Sequence, residues 1–255
     1  MSRWSTDPLR IALAPGEVAL VRTRGTPASR VLATSERSAA SLLPLLDEAL
    51  ANPAWHSRRA EVGLSQHFVR HVLTAAPGKA LARAEERALV VASLREIYGD
   101  EADRWRVQVH SQPPQYGLVG AALDAAFAQQ LDALLARHGF RDVAIRPLAS
   151  VAAHRLPKTF QGWWALAEPG WLGLFGSSNG VWQHLAGQPV DAGWATALPE
   201  LIERETASTT LPELPTVWIQ ALGVGAVSPP ASAGGRWQVM PHEGQARGAL
   251  ALAGI

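Results

Sequence analysis

Two stretches of this chain, far apart in sequence, carry the same short layout, and that duplication constrains the fold more than any other feature. The run 11–20 places Ala12-Leu13-Ala14 ahead of Pro15-Gly16, and the run 164–174 places Ala165-Leu166-Ala167 ahead of Pro169-Gly170. In both, Pro-Gly separates two short apolar runs, as a tight turn does between antiparallel strands. Gly25 then precedes a third run that ends at Leu32, and Gly180 precedes a third run over 181–185. Downstream the correspondence continues. Apolar residues recur at Leu42, Leu45, Leu46 and Ala49 within 38–50, a helical spacing that Asn52-Pro53 ends, and a helix over 198–205 holds the same place in the second copy. Apolar strands follow at 61–64 and 217–221. Each copy therefore predicts β-β-β-α-β. Ala-Leu-Ala and Pro-Gly also recur by chance in an Ala- and Pro-rich chain, so the shared order of elements carries the argument. Solenoid units repeat every ~20–50 residues, whereas this period is about 150 with two copies, which predicts two domains related by a pseudo-two-fold axis.

Between the copies the pattern changes. A strand over 68–74, a helix over 79–98 stopped by Gly99, a strand over 106–110, a short strand over 117–121, a helix over 123–138 closed by Gly139 and a strand over 143–146 give the order β-α-β-β-α-β. That order is the ferredoxin-like motif, two helices on one face of a four-stranded antiparallel sheet. The expected organisation is a first lobe over 1–66, an inserted ferredoxin-like subdomain over 67–147, a second lobe over 148–227, and a tail over 228–255 with a short strand near 236–240 and a mobile end.

Composition removes several function classes. Lys and Arg number 23 against 22 Asp and Glu, so a net charge of +1 supplies no broad field for nucleic acid or anionic lipid. Without cysteine there is no thiolate nucleophile, disulfide or Cys-ligated zinc, and the cytoplasm is the expected compartment. Residues 1–10 carry Arg3, Asp7 and Arg10 and lack the apolar core of a secretory signal. The apolar stretch 217–227 is about half the roughly 20 residues of a membrane helix, so membrane contact is expected only through partners.

Two β-β-β-α-β copies with an insertion after the first resemble the actin-like ATPase fold, a ribonuclease H-like duplication, and within it the branch of PilM and the GspL cytoplasmic domain. The residues carrying the resemblance are the meander over 11–32, the stretch Phe68-Val69-Arg70-His71-Val72-Leu73, and the meander over 168–180. The resemblance implies a nucleotide cleft at the first turn of each meander, with an acidic residue for Mg²⁺ and glycines whose N–H groups approach phosphate. Here the turns are Ala14-Pro15-Gly16 and Glu168-Pro169-Gly170. The first has no Asp, each has a proline without an N–H, and Leu222-Gly223-Val224-Gly225 echoes the adenosine-side glycines. Gly16, Glu168, Gly170, Gly223 and Gly225 are thus candidate remnants of a degenerate site, with no catalytic residue, no metal and no cofactor expected and ATP-Mg disfavoured. The resemblance further implies a cytoplasmic scaffold of a type IV pilus or type II secretion platform, at the inner face of the inner membrane, with PilN-like or GspM/GspE-like partners. Phe68, Val69, Arg70, Val72, Leu131 and Leu135 are the partner-binding residues it suggests. An active ATP-binding enzyme of the same superfold, such as a small-molecule kinase, is the alternative.

Other constellations read as structural. On a strand, His67 and His71 stand about 13 Å apart, too far to share a metal. Gly176-Ser177-Ser178-Asn179-Gly180 does not match a nucleophile elbow and reads as a hairpin turn. Trp163, Trp164, Trp171 and Trp182 cluster in the second meander, where aromatic rings fill a core or anchor a partner.

Overall fold

The computed structural model describes residues 8–23, 26–209, 211, 216–225, 227–228, 236–240 and 248–254. The first meander is β1 (Leu9–Ala14), β2 (Glu17–Arg22) and β3 (Ala28–Ala33), followed by α1 (Leu42–Leu50) and β4 (Arg59–Leu64). Next come β5 (Arg70–Leu73), α2 (Arg83–Tyr98), β6 (Trp105–His110), β7 (Val119–Asp124), α3 (Ala125–Arg137), β8 (Asp142–Pro147) and α4 (Leu148–Ala152). The second meander is β9 (Gly162–Glu168), β10 (Trp171–Ser178) and β11 (Val181–Pro189), and α5 (Trp194–Thr206), β12 (Thr216–Ala221), β13 (Arg236–Val239) and α6 (Gly248–Ala253) complete the chain.

Local chemistry sets these boundaries. Gly16 and Gly170 sit at φ +79° and +78° after prolines, so each Pro-Gly pair fixes one φ near −65° and supplies one positive φ. Asn179 and Gly180, both at positive φ, turn β10 into β11 as a two-residue hairpin. Asp124 accepts from the Phe127 N–H at 2.7 Å and starts α3, while Glu85 accepts from the Ala82 N–H at 2.7 Å at the start of α2.

The chain forms two compact units. One is Met1–Val69 with Asp124–His154 and Glu243–Ile255; the other is Arg70–Leu123 with Arg155–His242. In the first unit the sheet order is β3-β2-β1-β4-β8, and in the second it is β11-β10-β9-β12-β13. Each meander is antiparallel and each later pair is parallel. The ladders also end alike, with Ser65 N–H donating to Leu13 O at 2.9 Å and Leu222 N–H donating to Ala167 O at 2.8 Å. Duplication is therefore present in the topology. These bonds equate Leu13 with Ala167, so the two Ala-Leu-Ala tripeptides lie one residue out of step; in a strand that puts them on opposite faces. The Pro-Gly turns, by contrast, do correspond. Gly25 lies outside the described residues.

The expected ferredoxin-like sheet does not form. β8 pairs in parallel with β4 in the first sheet, leaving the three-stranded sheet β5-β7-β6 with α2 in the second unit. The expected element order is present, but order does not choose a strand's partner, and the open parallel edge of β4 accepts β8. α3 belongs with β8 to the first unit, where its apolar stripe of Phe127, Leu131, Leu134 and Leu135 is buried. A boundary of 67–147 for the insertion is accordingly too wide. The mobile tail expected within 228–255 is also corrected over 248–253. There α6 buries Ala249, Ala251, Leu252 and Ala253, and the small side chains Ala12 and Ala19 on that sheet face admit a helix closely. The part of the expected tail over 241–247 lies outside the described residues.

In the second sheet both faces are buried. Trp163, Ala165, Ala167, Leu172 and Leu174 pack with Trp194, Leu198 and Ile202 of α5. Strand alternation turns Trp164 and Phe175 to the opposite face, where their centroids are 4.8 Å apart. Trp163 and Trp164 are fully buried, so for these two rings the core role holds.

Candidate functional site

The candidate nucleotide residues fall at the carboxyl ends of the parallel strands, the end at which open α/β sheets hold ligands. In the first unit, Gly16 is buried and turned against its own chain. A Cβ on Gly16 would lie 2.8 Å from Thr34 O, and the Thr34 N–H donates to Gly16 O at 2.8 Å. The close approach that glycine allows is thus made to the protein's backbone. The adjacent carboxylate is also committed, because Glu17 Oε2 accepts from the Ala249 N–H at 2.8 Å in the first turn of α6. Gly16 and Glu17 are thus both engaged within the first unit.

In the second unit, Glu168 ends β9 beside the end of β12, where Ala221 is in register with Ala167. Glu168, Gly170, Gly223 and Gly225 therefore gather at one end of one sheet, with Gly223 and Gly225 at φ +74° and +86° leading the chain away. Glu168 is only 1% exposed and has a partner inside the protein, while among the described residues its Oε2 accepts no hydrogen bond. Pro169 has no N–H. Mg²⁺ nucleotide sites use one or two carboxylates together with phosphate donors; this turn supplies one enclosed carboxylate and a single glycine. Among the described residues no three His, Cys, Asp or Glu side chains gather as a metal site.

The partner-binding candidates are distributed differently from what the sequence suggests. Val69 and Val72 are 3% and 4% exposed, and Leu131 and Leu135 are fully buried, so these four are core side chains and form no exposed patch. Phe68 is half-buried with its ring 6.4 Å from that of Phe127, and Arg70 is half-buried and engaged. Moreover, Phe68, Val69, Leu131 and Leu135 belong to the first unit and Arg70 and Val72 to the second.

Three arrangements were not legible in the sequence. His71 packs edge-on against Phe175, centroids 6.1 Å apart, and burial, reinforced by the charge of Arg70, holds its pKa down to about 4. Gln112 acts as a short strand for the edge of β11: its Oε1 accepts from the Trp182 N–H at 2.7 Å and its Nε2 donates to Trp182 O at 3.0 Å. Asp47 accepts from His138 at 2.6 Å and from Arg137 at 3.1 Å, which ties α1 to the end of α3; the His138 bond, then the Arg137 charge, hold its carboxyl below the usual range. All three join residues remote in sequence, and no local pattern announces them.

No protein-family model and no curated protein matches the chain. Solved structures do. The cytoplasmic domain of EpsL, an inner-membrane component of the type II secretion system of Vibrio cholerae, superposes with TM-score 0.61 at 15% identity, covering 96% of this chain and 92% of that one. A Bacteroides thetaiotaomicron protein with an actin-like ATPase fold gives 0.55 at 8% identity over 89% and 86%. The PilM–PilN type IV pilus biogenesis complex gives 0.53 at 13% identity over 84% and 81%. The chain has the actin-like ATPase fold. Within that fold it is similar to the EpsL cytoplasmic domain and to PilM. Among the described residues no helix is long and apolar enough to cross a membrane.

Proposed function

We propose that the protein is a non-catalytic scaffold of a type IV pilus or type II secretion platform, held at the inner face of the inner membrane by its partners. The single observation that carries this reading is the state of the first turn: Gly16 is closed by Thr34 and Glu17 caps α6, while both five-stranded sheets are kept intact. A fold kept whole around a turn filled by its own chain is a fold used for its surfaces. Its likeness in fold to the EpsL cytoplasmic domain and to PilM supports the setting. The partner class is a short cytoplasmic segment of an inner-membrane protein of the PilN or GspM kind, or the GspE-like assembly ATPase. Function does not follow from fold alone, and the alternative of an active ATP-binding enzyme rests on Glu168 at the end of β9.

A thermal-shift titration with Mg-ATP separates the two. A nucleotide at 100 times its dissociation constant stabilises a protein by about 2.7 kcal/mol, a shift of several degrees. The scaffold reading expects no shift at millimolar Mg-ATP, together with capture of a PilN-like cytoplasmic segment. A shift abolished by Glu168→Ala, with no such capture, would establish the enzyme reading instead.

A further inference from the structure

One groove on the first sheet gathers charge that the rest of the protein does not use. β1, β4 and β8 lie side by side and parallel. Arg10 is in register with Glu61 and Glu61 with Ala144; two residues on, Ala12 is in register with Gly63 and Gly63 with Arg146. Alternation places all six on one face. Leu148 and Val151 of α4 and Leu252 and Ala253 of α6 border the groove above them. Its floor is open at Gly63, because a Cβ there would meet nothing nearer than Ile11 O at 3.9 Å. Glu61 and Arg146 are exposed and Arg10 is half-buried. Among the described residues, none of these three side chains takes part in a hydrogen bond or an ion pair.

We propose that this groove docks a partner segment in which an apolar side chain stands next to a carboxylate. The apolar side chain occupies the space over Gly63 between α4 and α6, and the carboxylate takes the guanidinium groups of Arg10 and Arg146, whose planar forks suit it. Charge complementarity selects this occupant: two unpaired cations against one anion disfavour a basic segment. The apolar border disfavours a free inorganic anion, which gains nothing from Leu148, Val151 or Leu252. The inference rests on the scaffold reading and gives it a surface distinct from the buried residues Val69, Val72, Leu131 and Leu135.

Gly63 provides the decisive variant. It lies on an interior strand without positive φ, so Gly63→Val adds a β-favouring side chain that fills the floor of the groove. The full chain is measured against immobilised octapeptides that pair Leu with Asp or Glu, Leu with Lys, or Gly with Asp or Glu, and against inorganic phosphate alone. The Leu-acid set binds and the other two do not. Gly63→Val and Arg146→Glu each weaken that binding at least tenfold, while Arg83→Glu, on exposed α2, leaves it unchanged. If Gly63→Val lowers the melting temperature, Gly63→Ala replaces it and a threefold or greater loss is required. The proposal is overturned if no set binds, if basic and acidic sets bind alike, or if Leu-acid binding survives the filled floor. Phosphate binding without dependence on Leu also overturns it, by assigning the arginines to a small anion. Capture of a PilN-like segment that is undiminished by Gly63→Val would keep the scaffold role and move its docking site elsewhere.

Discussion

Acid should destabilise the second unit through one residue, His71. The unfolded imidazole titrates near 6.5 and the native one near 4, so above pH 6.5 the ring is neutral in both states and its contribution is fully present. Between those values the unfolded chain binds a proton that the native chain refuses, and stability falls as pH falls. Below about 4 both states are protonated and no further loss occurs. At about 1.4 kcal/mol per unit, a separation of some 2.5 units corresponds to roughly 3 kcal/mol, an upper figure because part of the residue still touches solvent. The assay is urea unfolding of the full chain from pH 7.5 to 4.5, followed by tryptophan fluorescence, since Trp164 and Trp182 ring contacts converge on Phe175 beside His71. His71→Phe keeps a ring against Phe175 and removes the proton site. The substitution leaves every carboxylate in place, so the difference between the two pH profiles isolates His71. The wild type is expected to lose 1–3 kcal/mol more than the variant over that range, on the order set by the shift. Parallel profiles would refute the argument.

Gln112→Ala strips both partners from the backbone of Trp182 and is expected to cost about 1–3 kcal/mol in urea unfolding, with faster amide exchange along β11. Gly120→Ala drives a methyl group into Val90 and Val72, which destabilises the inserted sheet and its helix by about 1–3 kcal/mol, measured as a lowered melting temperature. Glu17→Gln removes the charge at the start of α6, and about 1 kcal/mol of local stability should be lost, seen as faster hydrogen exchange over 249–253 with little change elsewhere. Asp47→Asn should flatten the acid side of the stability profile below about pH 4, because a carboxyl held below its usual pKa contributes stability above that value and loses it as pH falls.

What the sequence by itself determined was everything that neighbouring residues decide. Pro15-Gly16, Pro169-Gly170 and Asn179-Gly180 specify turns through φ alone, the helical spacing of Leu42, Leu46 and Ala49 specifies α1, and the succession of such signals was enough to reveal two copies of one unit. What only the tertiary structure decided was which surfaces meet. β8 could pair within an insertion or extend the first sheet, and the run 248–253 could remain a tail or cover Ala12 and Ala19; both outcomes depend on hydrogen-bond edges and apolar faces contributed by residues far away in the chain. The same holds for the candidate site. Residue types named Gly16 and Glu168, but whether a glycine faces a ligand or Thr34, and whether a carboxylate is open or enclosed, is a matter of packing. Local conformational preference is written in adjacent residues, whereas pairing and burial are settled by competition among distant ones.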